Sequence, residues 1–282
     1  MTMQQDQLFA FGLGYVAETL SKRLISQGWS ASGTVRSPEK AERLRTAGID
    51  AVTFDSSGEL EVPDGAHWLI SIPPGDLGCP AFLAAADAAK GAASVTYLST
   101  TGVYGDLGGG WAFEWTKPAP ISARAKRRVL AELQWQSAAS IFRTVRLPGI
   151  YGPGRSALDR LKAGTARRII KPGQVFSRVH VDDIVSGLVA AFQRPSATGV
   201  FHLCDDEPAP PQDVIAYGAG LVGADLPPDE AFETADLSEM AKTFYGECKR
   251  VSNARAKSAL DWFPTYPTYR EGLKAVLDAD QT

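Results

Sequence analysis

Cysteine is scarce and scattered. Cys79, Cys204 and Cys248 are the only three in 282 residues. They are odd in number and lack C-x-x-C spacing, so neither a disulfide framework nor a zinc site is indicated, and a reducing, cytoplasmic compartment is expected. His67, His180 and His202 have no cysteine or carboxylate at ligand spacing and are read as structural, so no metal is expected. An excess of positive charge is also missing: 29 Lys and Arg stand against 32 Asp and Glu, a formal charge of −3, which gives no field to draw in nucleic acid. The polar start, Met1 to Gln7, leads into an apolar stretch broken within a few residues by glycines, so no signal peptide, membrane span or membrane partner is expected. What remains is 44% hydrophobic, ordinary for a globular chain with a full core.

Short apolar runs alternate with amphipathic stretches. Leu8–Phe11 is followed by a helix to about Gln27, then Trp29–Val35, a helix over 38–47, and Ile49–Phe54. The alternation continues through His67–Ile72, an alanine-rich helix over 80–90, Ser94–Ser99, a helix over 121–136 and Ile141–Leu147. Helical crossovers between buried strands require a doubly wound parallel α/β sheet, a Rossmann fold. After Leu147 prolines break the rhythm. Residues 1–150 and 175–204 are assigned to the dinucleotide-binding domain, and 151–174 and 205–282 to a smaller substrate-side region. Gly108-Gly109-Gly110 reads as a mobile loop.

The sharpest chemical signal is Gly12-Leu13-Gly14-Tyr15-Val16-Ala17, directly after the first strand and opening a helix. The first glycine suits a tight turn, the second admits a pyrophosphate against backbone, and the small alanine allows close helix–strand packing. Free N–H groups at the helix start then hold the phosphates. An NAD-selective site places a carboxylate at the end of the second strand, but here the strand ends Thr34-Val35-Arg36-Ser37. Arg36 offers a guanidinium fork for a 2′-phosphate, with Thr34 and Ser37 as supporting donors, which favours NADP(H) over NAD(H). The plainer reading of Arg36 is a solvated surface arginine.

Three further segments are distinctive in their order: Tyr97-Leu98-Ser99-Thr100-Thr101-Gly102-Val103-Tyr104-Gly105, Arg146-Leu147-Pro148-Gly149-Ile150-Tyr151-Gly152-Pro153-Gly154, and His180-Val181-Asp182-Asp183-Ile184. Together with the glycine turn they resemble the extended short-chain dehydrogenase/reductase family, which includes NAD(P)-dependent epimerases and dehydratases. The resemblance implies that Thr100 hydrogen-bonds a substrate oxygen and that Asp55 and Ser56 lie near the adenine. Turn chemistry explains both groups equally well. Family dehydratases carry an acidic pair right after this threonine; Thr101 and Gly102 stand there, which disfavours dehydration. The family also places a tyrosine four residues before a lysine. Here the aligned lysine is Lys126 and Ser122 precedes it, marking an atypical branch without the usual proton donor. Lys126, Tyr104 and Tyr151 are the candidates to supply that function, with a solvated basic face as the plainer reading of Lys126.

Lesser signals have bland readings beside them. Glu114 is read as an exposed glutamate, Asp182 or Asp183 as a helix N-cap, and Arg155 and Arg167-Arg168 as surface charges able to meet an anionic substrate. Trp111 and Trp115, flanking Phe113, form an apolar lid or dock as core. Two functions are carried forward. One is an oxidoreductase or epimerase-like enzyme acting on a small hydroxyl- or carbonyl-bearing substrate. The other is a non-catalytic dinucleotide-binding redox sensor or partner-binding module.

Overall fold

From Leu8 to Phe11 every side chain is buried. Successive side chains of a strand point to opposite faces, so such a run must lie in a sheet covered on both sides. The computed structural model, which describes residues 6–55 and 60–281, shows this arrangement. Leu8 and Ala10 join one core with Leu20, Leu69, Val145 and Ile184. Phe9 and Phe11 join the other with Trp68, Tyr97 and Trp135.

The chain runs β1 (Gln7–Phe11), α1 (Tyr15–Ser26), β2 (Ser30–Val35), α2 (Pro38–Thr46), β3 (Asp50–Thr53), β4 (His67–Ile70), α3 (Pro80–Ala85), β5 (Ser94–Thr100), β6 (Trp111–Ala112), α4 (Ala123–Ala138) and β7 (Phe142–Leu147). It continues through β8 (Gly149–Tyr151), α5 (Ala157–Lys162), β9 (Arg168–Ile170), β10 (Arg178–His180), α6 (Val181–Phe192), β11 (Gly199–His202) and α7 (Pro211–Val222), then β12 (Asp229–Ala231), α8 (Glu239–Tyr245), β13 (Arg250–Val251), α9 (Ala254–Leu260) and α10 (Tyr269–Ala279). Seven strands form one sheet in the order β11-β7-β5-β4-β1-β2-β3. All its pairings are parallel. The doubly wound Rossmann fold read from the sequence is therefore the fold observed. Strand order reverses between β1 and β4, and open α/β sheets bind ligands at the carboxyl ends beside that point.

A second core joins α5, α7 and α10 through Leu158, Leu161, Ile215, Leu273 and Val276. One boundary differs from expectation: Ala256, Leu260 and Trp262, around α9, pack into the sheet's own core rather than into this second one. Their apolar stripe matches the surface left by α6 and β11. The alanine-rich helix also ends early, at Ala85, and tightens into a 3-10 turn over Asp87–Gly91. There Ala92 N–H reaches back only three residues, to Ala89. The fourth long helix starts at Ala123 rather than at 121 because Ser122 caps it, its hydroxyl accepting from Ala125 N–H at 3.2 Å.

Candidate functional site: a glycine turn beside two strand ends

Gly12 has φ +90°, and a Cβ there would stand 3.1 Å from the Ile72 amide, so β1 and β4 approach too closely for any side chain. Gly14 differs. No atom lies within 4 Å of where its Cβ would be, so the space before α1 is open. Gly14 is also the N-cap of α1 and supplies no side-chain cap, which leaves the first-turn N–H groups of Tyr15 and Val16 free for an anion. Leu13 N–H is used internally, donating to Thr34 C=O at 2.8 Å. A cradle that a Cβ would fill, backed by uncapped N–H groups, fits a dinucleotide pyrophosphate.

At the end of β2 the expected donors separate. Arg36 is exposed and has no hydrogen-bond or ion-pair partner among the described residues. Ser37 caps α2, its oxygen accepting from Lys40 N–H at 3.2 Å, so its own hydrogen is left for a ligand. Thr34 is no ligand donor: it is buried, and its Oγ1 accepts from Gly12 N–H at 2.9 Å. It holds the glycine turn instead, because it lies within the buried part of β2 whereas Arg36 lies past the strand's end. Asp55 follows β3 and is exposed. Ser56 lies outside the described residues.

Thr100 ends β5, half-buried, with its Oγ1 accepting from Gly102 N–H at 3.2 Å. Its hydroxyl hydrogen remains available at the carboxyl edge of the sheet. Lys126 is exposed on the first turn of α4. The residue that reaches back to the strand is Arg128, half a turn on, donating to Leu98 C=O at 2.7 Å and to Tyr97 Oη at 3.2 Å. Counting four residues from Ser122 could not show this, since the helix face that meets β5 is set by packing.

Tyr104 is fully buried and is not a cleft residue. Arg146 Nη1 donates to its oxygen at 2.8 Å, so the phenol hydrogen goes to His202 Nε2 at 2.6 Å, and His202 Nδ1–H donates to Ser252 C=O at 2.9 Å. Burial pushes the phenol up to about 12, the wrong direction for a proton donor near neutrality. Arg146 also forks onto Glu132 at 3.1 and 2.6 Å, and Glu132 accepts from Ser99 Oγ at 2.5 Å. Glu114, expected at the surface, is buried 3.9 Å from His202, and burial raises its carboxyl above the usual range.

Burial lowers His202 to about 4. For a base with a depressed folded-state pKa, stability is complete above the unfolded value near 6.5 and is lost as pH falls toward 4. Wild type is therefore expected to lose about 2 kcal/mol more than His202→Gln between pH 7 and pH 5. Urea midpoints at the two pH values measure the difference; parallel losses would mean that His202 does not titrate alone.

Tyr151 is likewise interior. Its hydroxyl has no hydrogen-bond partner among the described residues and lies where a side chain at Gly272 of α10 would begin, and burial with the Asp205 charge pushes it well up. The helix cap expected from Asp182 or Asp183 comes instead from His180, whose Nδ1 accepts from Asp182 N–H at 3.2 Å. Asp183 is buried, accepting from Thr265 and Tyr266 N–H at 2.6 and 3.2 Å. Burial still raises it to about 6. Among the described residues no His, Cys, Asp and Glu side chains group as a metal site, and no helix is long and apolar enough to cross a membrane.

A cavity of about 540 Å³ opens in the second region, lined by Arg155, Arg160, Arg178, Phe176, Tyr245 and others. Arg155 and Arg160 have no carboxylate partner among the described residues, whereas Arg167 is paired with Glu230 and Arg168 with Asp229. The cavity does not reach Thr100 or Gly14. Tyr15 links it to the glycine turn: its hydroxyl donates to Pro153 C=O at 3.0 Å and Arg155 lies over its ring. The loop at Gly108–Gly110, expected to be mobile, is pinned. Leu107 and Gly109 N–H both donate to Cys248 C=O, and β6 pairs with β13. Trp111 and Trp115 stay exposed, and Phe113 stacks on Trp115 with centroids 4.8 Å apart.

The sheet order, the glycine turn after β1 and the threonine at the end of β5, on the far side of β4, define the fold class of NAD-dependent epimerase/dehydratases and extended short-chain dehydrogenase/reductases. No family model matches the chain. It is 46% identical to a conserved protein of unknown function from Silicibacter pomeroyi DSS, covering 99% of this chain and 100% of that one with a TM-score of 0.92. The chain belongs to one family with that protein. A 3-diazoavenalumate denitrifying reductase from a Streptomyces species is 35% identical over 161 residues, 52% of this chain. The match spans about half, 51%, of that reductase. The human epimerase family protein SDR39U1, solved with NADPH, shares the fold at 14% identity, with 96% and 99% of the two chains covered and a TM-score of 0.73.

Proposed function

We propose that the chain binds NADP(H) across the β1–α1 turn and the end of β2, and is an oxidoreductase or epimerase-like enzyme for a small carbonyl- or hydroxyl-bearing substrate. The observation that carries this reading is the open space before Gly14 with the unpartnered Arg36 at the next strand end. A bound nicotinamide ring supplies or accepts hydride. This chain's residues position the substrate, with Thr100 Oγ–H holding its reacting oxygen. The partial likeness to a Streptomyces reductase supports reductive chemistry. The free thiols of Cys79, Cys204 and Cys248 suit a reducing, cytoplasmic compartment. Ser122, serving as a helix cap where the family has a phenol, favours a second reading, a non-catalytic NADPH sensor.

Calorimetric titration with NADPH, NADH and their oxidised forms tests the first half, and NADPH oxidation with carbonyl compounds the second. Binding without turnover would leave the sensor. Given turnover, Thr100→Val is expected to lower kcat by roughly 10- to 100-fold with NADPH affinity unchanged, and Thr100→Ser to restore it. An unaltered kcat in Thr100→Val would make the hydroxyl a turn element only.

A further inference from the structure

The end of β5 has no acid or base in its own sequence, and the acid that α4 brings to it, Glu132, is buried and bound to Arg146 and Ser99. A distant segment fills the gap. Directly after α8, Glu247 and Lys249 form an ion pair, Oε2 to Nζ 2.6 Å, with side chains only 16% and 9% exposed. Lys249 Nζ also donates to Gly105 C=O at 2.7 Å. The point where a Cβ on Gly102 would stand is 3.5 Å from Thr100 Oγ1 and 3.9 Å from Glu247 Oε2. The carboxylate and the threonine hydroxyl therefore both lie within ordinary contact distance of the same bare backbone position.

Backbone contacts hold the pair in place. Glu247 C=O accepts from Gln174 Nε2 at 2.8 Å, and Cys248 N–H donates to Asp106 Oδ1 at 2.8 Å. Arg250 N–H bonds Gly110 C=O at 2.9 Å on the other side. A salt bridge at an arbitrary surface position would need none of this. Ordering a lysine and a glutamate on a stitched loop costs side-chain entropy, and burying both adds a desolvation cost that their mutual attraction only partly offsets. Among the described residues, Asp106, Lys171 and Arg250 are further charged groups at this segment.

We propose that Glu247 and Lys249 are the proton-exchanging pair of the site, in place of a helix-borne tyrosine and lysine. The proposal rests on the oxidoreductase reading above. In the reductive direction the substrate's carbonyl carbon gains hydride from a reduced nicotinamide dinucleotide, which is thereby oxidised. The carbonyl oxygen, held by Thr100 Oγ–H, gains a proton. That proton leaves Lys249 Nζ and passes along the Nζ–H···Oε2 bond through the Glu247 carboxyl group. Lys249 is left as a neutral amine, Glu247 returns to carboxylate, and the amine takes up a proton from bulk solution, the net proton that the reduction consumes. The oxidative direction runs the same transfers backwards.

The test uses the full chain as wild type, Glu247→Gln, Lys249→Met and Glu247→Ala. NADPH affinity is measured by calorimetry, and NADPH oxidation is followed with p-nitrobenzaldehyde and phenanthrenequinone as carbonyl probes. The first two variants are expected to keep NADPH affinity within about threefold while kcat falls on the order of 100-fold and KM for the probe stays put. Added formate is expected to restore part of the activity of Glu247→Ala, which a purely structural carboxylate would not allow. Variants matching wild-type kcat, or losing NADPH affinity and kcat together without formate rescue, would overturn the pair's role and leave the reductase reading standing. Wild type that binds NADPH yet reduces neither probe would overturn both.

Discussion

Arg146→Met is expected to destabilise the folded chain by about 3–5 kcal/mol, a large share of the 5–15 kcal/mol that holds a typical domain together. Arg146 is 4% exposed, and its guanidinium is bound to Glu132 through two nitrogens and to Tyr104 through the third. Methionine fills much of the volume but leaves the Glu132 carboxylate buried with only the Ser99 hydroxyl, and removes the donor that directs the Tyr104 hydrogen to His202. An uncompensated buried charge is the costly product; the pair itself contributes far less, because its Coulombic gain is offset by desolvation. The double variant Arg146→Met with Glu132→Leu should therefore recover most of the loss. Calorimetric melting decides: a fall of roughly 10 °C in the single variant, largely reversed in the double, is the expected pattern. A single variant within about 2 °C of wild type would mean that Glu132 finds another partner.

Arg36→Ala is expected to weaken NADPH binding about 10- to 100-fold and leave NADH binding nearly unchanged. The range follows from the roughly 1.5–3 kcal/mol of hydrogen bonds to a charged group, at 1.4 kcal/mol per tenfold. Arg36 is exposed and has no partner among the described residues, so binding costs it no described ion pair and its removal breaks none. Stability should accordingly be unaffected, which separates a ligand contact from a structural one. Equal losses for NADPH and NADH in calorimetry would remove the 2′-phosphate assignment, and with it the preference for NADP(H).

Much of the architecture was legible because each part of it is local. The glycine turn needs only Gly12, Gly14 and Ala17 after a strand, and the alternation of apolar runs with helices leaves a parallel sheet as the arrangement that buries both faces. The start of α2 at Pro38 likewise matches its local signal, whereas α4 begins two residues later than expected because its cap, Ser122, is not recognised from the local pattern. The misplacements have a common form. Tyr104, Tyr151, Glu114 and Thr34 each carry a chemically capable group, and nothing in the local pattern distinguishes a polar group aimed at a cleft from one paired inside the core. Tyr104 is interior because His202 and Arg146, distant in sequence, meet it there.

The sequence by itself determined the Rossmann class, the glycine turn and the charge at the end of β2, since those depend on short-range periodicity and on what a single residue can do with its own backbone. Only the tertiary structure decided which groups share a site. It turned Thr34 inward, sent Tyr104 into a buried network, exposed Lys126 while Arg128 reached β5, and brought the Glu247 carboxylate, paired with Lys249, to the Gly102 backbone that Thr100 also meets. The physical reason is that a site at a sheet edge is assembled from segments whose packing partners are long-range, and no spacing along the chain encodes the distance between them.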